Sequence, residues 1–279
     1  MKKILGVSFI SLLAFTTLQA ESSEAKELSE PKSILTENGV SSEVKKFSQP
    51  KSTLTEDEVE ILFDDFVIEN KLTQQEILEL DEAVLEEFVD YAVDSGAIYN
   101  TMEARAEVLV KTVRLQFKAV VAGGKLVGYT TAADLLNHSL QDSPKDLNYA
   151  SGTAISNQVK SSKEAENIVN DIKKYVQNRK LGSYTTSGST TLNSTKDLFL
   201  AFNKVSYVAE STKNLKTGQW TTTITFKDEY DFDEIAWKNV SGLGQAAVAA
   251  LTNYAVEAER IGAIVPYNIK ITTTHTFYE

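Results

Sequence analysis

The sequence predicts an α+β protein, with an N-terminal helical bundle followed by a C-terminal β-α-β-β-α-β module around a small antiparallel or mixed sheet. Three observations carry this prediction. From Thr55 to about Lys180, apolar residues recur at three- and four-residue spacing behind helix-start signals. At Gly182 the pattern turns to alternation, and Ser, Thr and Gly replace Glu and Leu. Lys216-Thr217-Gly218 then separates two alternating runs, as a hairpin turn does.

In chain order, Lys2 and Lys3 precede an apolar run from Ile4 to Leu18, small Ala20 follows, and the chain turns acidic and serine-rich at Glu21-Ser22-Ser23-Glu24. A basic start, a run short for a bilayer and a small residue at the cleavage position predict a secretory signal peptide over residues 1–20. The protein is therefore expected to be exported, either periplasmic or secreted. Residues 21–54 read as a disordered tether of Ser, Glu and Lys with isolated apolar residues, broken by Pro31 and Pro50. Within and just past it, Pro31-Lys32-Ser33-Ile34-Leu35-Thr36-Glu37 recurs as Pro50-Lys51-Ser52-Thr53-Leu54-Thr55-Glu56. Two copies are too few for a stacked repeat, so the duplication lengthens the tether or serves as a short binding motif.

Residues 55–181 are assigned to the bundle. Thr55 with Glu58, and Thr73 with Glu76, have the spacing of capping boxes, in which hydroxyl and carboxylate satisfy first-turn amides. The second box opens a helix with Ile77, Leu80, Val84, Leu85, Phe88 and Tyr91 on one face, stopped at Gly96. A third helix is expected from Thr101 to Ala122, ended by Gly123-Gly124. Shorter helices are expected from Ala132 to Leu140, and from Lys163 to Arg179 behind Ser162.

Residues 182–279 form the predicted α+β module. Its strands are read at Tyr184–Leu192, at Val205–Ser211, from Trp220, and after Pro266. Helices are read at Lys196–Asn203 and Gly244–Arg260. Trp220, Thr222, Ile224 and Phe226 alternate with a threonine-rich face, as expected of a sheet with one wet side.

The totals exclude several classes of function. The chain has no cysteine, which removes disulfides, thiol nucleophiles and thiolate metal sites and leaves Met, His and carboxylates as metal ligands. Its net charge of −11, about −13 once Lys2 and Lys3 are lost, opposes nucleic-acid binding. No Walker or dinucleotide fingerprint surrounds its glycines, so no organic cofactor is expected.

Asp228-Glu229-Tyr230-Asp231-Phe232-Asp233 is the densest chemical candidate, at the end of the strand that starts with Trp220. Closely spaced carboxylates can bind a divalent cation through Asp228, Asp231 and Asp233, or can divide acid and base roles by raising one another's pKa. The alternative is that Tyr230 and Phe232 enter the core while the carboxylates face solvent. His138 and His275 are the only histidines. His275, on the last strand, would make a general base if it faced Asp231, and His138 near a helix end reads as a structural imidazole.

Asp228-Glu229-Tyr230-Asp231 resembles the D-x-Y-D core of the colicin M group of bacteriocins, exported phosphodiesterases that cleave a lipid-linked peptidoglycan precursor. The resemblance implies Asp228, Tyr230 and Asp231 as catalytic residues. That group continues to a His-Arg pair, where this chain has Trp237 and Lys238. More broadly, residues 182–279 are similar in pattern to C-terminal modules of bacterial secreted proteins and polymorphic toxins.

The expectation that results is an exported, monomeric or weakly associating bacterial protein that acts by binding or antagonism at the envelope or outside the cell, with an envelope component or another protein as partner. A colicin M-like phosphodiesterase and a non-catalytic periplasmic scaffold are the alternatives.

Overall fold

The structure, a computed structural model, describes residues 49–72, 82–177, 179–233 and 243–278. The expected signal peptide, the first copy of the duplication, the expected Thr73/Glu76 box, Trp237 and Lys238 lie outside the described residues. The α+β class is observed. Helices α1 (Glu56–Asn70), α2 (Glu82–Asp94), α3 (Met102–Leu126) and α4 (Thr130–Ser139) come first. They are followed by β1 (Leu147–Tyr149), α5 (Ala154–Lys160), α6 (Lys163–Val176), β2 (Ser183–Thr191), α7 (Lys196–Phe202), β3 (Lys204–Lys213), β4 (Gln219–Tyr230), α8 (Leu243–Arg260) and β5 (Tyr267–Tyr278).

The chain divides into two compact units, one of residues 1–116 and 232–263, the other of residues 117–231 and 264–279. The change of periodicity at Gly182 falls inside the second unit.

In the first unit, α1 opens with the expected capping box. The Glu58 amide donates to Thr55 Oγ1 at 3.2 Å, and the Thr55 amide donates to Glu58 Oε2 at 3.0 Å. Leu54, Val59, Leu62, Phe66, Phe88, Val89, Ile98 and Val108 form the buried core. Phe63, Phe66 and Phe88 meet there at ring-centroid distances of 5.1 to 6.2 Å. Buried Arg114 of α3 donates from Nε to the carbonyl of Ala263 at 3.0 Å and from a terminal nitrogen to Gly262 at 3.1 Å. It thereby satisfies carbonyls released where α8 ends.

The second unit holds the sheet, in the order β1-β5-β4-β3-β2. β2, β3, β4 and β5 are antiparallel neighbours, while β1 runs parallel to β5, so the sheet is mixed. In β4 the even positions Trp220, Thr222, Ile224, Phe226 and Tyr230 are buried, whereas Thr221, Lys227 and Glu229 are exposed. Burial alternates with the pleat, as a one-sided sheet demands. α5 packs on β5 and α6 on β2. Buried Asp197 of α7 caps α4 from outside, accepting the amides of Thr131 at 3.2 Å and Ala132 at 2.9 Å and a Gln158 Nε2–H at 3.3 Å.

Two expectations are corrected. The third helix does not stop at Gly123-Gly124 but runs to Leu126. A side chain at Gly124 would meet the Ala133 Cβ at 3.4 Å, so this glycine serves close packing, and Gly128 at φ +88° makes the turn instead. The stretch after α4 also holds β1 and α5. β1 has only three residues and no alternation of its own, and its pairing partner lies 122 positions further along the chain.

Candidate functional site

β4 sets the geometry of the acidic cluster. Asp228 belongs to the even, inward row and sits between buried Phe226 and Tyr230, opposite Ile269 of β5. Half-burial in this row pushes its carboxyl up to about 7. Repulsion from Asp231 adds to the rise, and the backbone amide of Glu229 opposes it. An aspartate in that range exchanges its proton near neutral pH, as a general acid or base must. Glu229, Asp231 and Asp233 are exposed. The four carboxyls of residues 228–233 are therefore not equivalent, and only Asp228 lies on the packed side.

Tyr230 is buried and pairs with Tyr267 across β4 and β5, with the rings stacked at 5.2 Å and 22°. Tyr267 donates its hydroxyl to the Leu135 carbonyl at 2.9 Å and meets the His138 ring edge-on at 4.7 Å. Burial raises the pKa of both phenols, so each stays neutral beside Asp228. His138 Nε2 lies 2.8 Å from the Lys145 carbonyl and so carries the proton, and Nδ1 accepts from the Gln141 amide at 3.1 Å. Both nitrogens are thus engaged in holding the chain after α4. Sequence reasoning did not place Tyr267 and His138 beside this cluster, because only the β4–β5 register brings them there.

His275 is not brought to the acidic residues. It opposes Thr222, six positions along β4 from Asp228, a separation of roughly 20 Å at about 3.3 Å per residue. Its Nε2 lies 3.1 Å from Thr273 Oγ1, and burial, helped by the charge of Lys160, pushes its pKa down to about 4. Among the described residues, no three histidine, aspartate or glutamate side chains converge where a metal ion could sit. Among the described residues, no helix is long and apolar enough to cross a membrane.

No protein-family model matches the chain, and a search of curated proteins finds no relative. Among solved structures the chain is weakly similar to PaeM, a colicin M-like bacteriocin produced by Pseudomonas aeruginosa. That match has 17% identity and a TM-score of 0.28, over 53% of this chain and 51% of that one. It is also weakly similar to a mutant of syringacin M from Pseudomonas syringae pv. tomato, with 12% identity and a TM-score of 0.32, over 78% of this chain and 84% of that one. The chain spans about half the length of PaeM. Likeness at this level assigns no chemistry.

Proposed function

We propose that the protein is exported and antagonises the bacterial envelope, hydrolysing a phosphodiester in a lipid-linked cell-wall precursor at the acidic end of β4. The observation that carries this reading is the inward place of Asp228, flanked by Phe226 and Tyr230 while its neighbouring carboxylates face solvent. The match of Asp228-Glu229-Tyr230-Asp231 to the D-x-Y-D core of the colicin M group supports it, and the N-terminal export signal supports the location. In the proposed step a water attacks phosphorus and gives its proton to ionised Asp231. The bond to the leaving oxygen breaks as Asp228 supplies that oxygen with a proton. Buried Tyr230, held by its stack on Tyr267, positions the strand end between the two aspartates.

A second reading has its own support. Asp231 and Asp233 are exposed, and Trp237 and Lys238 stand where the colicin M group has its His-Arg pair. On this reading the same strand end holds an envelope component without cleaving it.

One assay separates the two. The mature protein is mixed with detergent-solubilised lipid-linked precursor, and the release of water-soluble headgroup is followed. Turnover that falls by at least about 100-fold in Asp228→Asn supports hydrolysis. Co-sedimentation with precursor-bearing vesicles without release supports binding alone. Neither release nor binding would overturn both readings.

A further inference from the structure

β2 is the outermost strand of the sheet, and the opposite edge, β1, is only three residues long. Two bonds outside the strands fix which of its backbone groups point outward. Leu192 donates to the Asn203 carbonyl at 2.8 Å, and Lys213 donates to the Gly182 carbonyl at 2.9 Å. The even positions of β2 therefore bond to β3. The amides and carbonyls of Ser183, Thr185, Ser187, Ser189 and Thr191 face away from the sheet. All five of these residues are exposed. Edge strands are ordinarily guarded by charge, proline or a bulge, and the nine residues Ser-Tyr-Thr-Thr-Ser-Gly-Ser-Thr-Thr include no charge and no proline and pair with β3 without interruption.

We propose that this edge is a self-association surface, on which β2 of a second copy pairs antiparallel about a two-fold axis through Ser187. The occupant is identified by self-complementarity. With Ser187 on the axis, Ser183 meets Thr191 and Thr185 meets Ser189 of the second copy. Every outward group then finds an outward group, for about ten new backbone hydrogen bonds.

Charge complementarity favours the same arrangement. Arg179 and Lys180 precede β2, while Glu164 is pinned at its far end, where it accepts the Asn193 amide at 3.4 Å and the Ser194 hydroxyl. In this register Lys180 of each copy stands opposite Ser194 of the other. Basic and acidic ends therefore meet twice, within a chain whose net charge of −11 opposes casual association. The expectation of a monomeric or weakly associating protein becomes a defined weak dimer. This inference does not depend on the chemistry at Asp228.

Sedimentation velocity of the mature chain over a wide concentration range tests it. A single strand pair buries a small interface, so the dimer should form with a Kd on the order of 100 µM. Ser187→Lys sets two lysines against each other across the axis, and Ser187→Pro removes an outward amide. Neither change touches a β2–β3 hydrogen bond. Both variants should keep the wild-type Tm and circular dichroism while dimerising at least about tenfold more weakly, and mixing Ser187→Lys with Ser187→Glu should restore the dimer. A wild type that stays monomeric throughout would overturn the proposal, as would variants that dimerise like the wild type.

Discussion

Asp228 stands directly opposite Ile269 in the β4–β5 ladder, so a carboxyl shares its flank with a buried aliphatic side chain. Burial of this kind disfavours the charged form, and repulsion from Asp231 works in the same direction.

The pH dependence of stability follows from that placement. The Asp228 pKa is raised from 3.8 to about 7, so the folded state holds a proton that the unfolded chain releases, and stability is lost as pH rises between these values. Asp228→Asn should leave stability unchanged below about pH 4. Above pH 7 it should raise stability by about 2 kcal/mol after allowance for partial solvent screening. Urea unfolding of both proteins at pH 4 and pH 8 measures the difference, and equal midpoints at pH 8 would show that the carboxyl is not held in an apolar row.

His275 should act in the opposite direction. Its pKa is lowered from 6.5 to about 4, so the unfolded chain binds the proton more readily, and the contribution of His275 to stability is lost as pH falls from 6.5 to 4. His275→Gln should remove that component. Subtracting the variant's pH profile from the wild type's isolates it from the contribution of Asp228, and a flat difference from pH 4 to 6.5 would contradict the placement.

Asp197 is nearly fully buried and accepts three hydrogen bonds, two of them from the first amides of α4. Replacing it with Ala leaves those donors without their carboxylate, at a cost of about 2–4 kcal/mol. Asp197→Asn should recover part of this, because one amide oxygen still accepts. Chemical denaturation of the two variants gives the comparison.

In the first unit, Phe88→Ala should cost about 3–5 kcal/mol, because it removes a ring with no solvent exposure that touches Phe63 and Phe66 edge-on. Exposed Ile68, on helix α1 with Phe63 and Phe66, is the control, and Ile68→Ala should change stability by less than about 0.5 kcal/mol. Thermal unfolding of the two variants side by side checks the contrast.

Much of the secondary structure was legible because it rests on local chemistry. The box formed by Thr55 and Glu58 needs only residues within one helical turn, and the burial of Trp220, Ile224 and Phe226 follows from a period of two that the strand cannot avoid. The hairpin at Gly218 is local as well, since a φ of +73° there suits glycine, and Asn214 Oδ1 accepts the amides of Lys216 at 3.0 Å and Thr217 at 3.3 Å. The end of α3 was misjudged for a related reason. A glycine pair reads as a stop, but whether Gly124 closes a helix or makes room for Ala133 depends on what packs against it.

The candidate site was legible only as a list of residue types. The sequence by itself determined that Tyr230 sits among closely spaced carboxylates at the end of the strand that starts with Trp220. It also determined that the chain carries a secretion-like leader pattern, an acidic balance and no thiol chemistry. Tertiary structure alone decided that Asp228 faces Ile269 while His275 faces Thr222, that Tyr267 stacks on Tyr230, and that β2 lies at the open edge of the sheet. The physical reason is that strand register and strand order depend on hydrogen bonds between segments far apart in the chain. A shift of one residue reverses every side chain's face, and no local propensity records which shift the packed sheet selects.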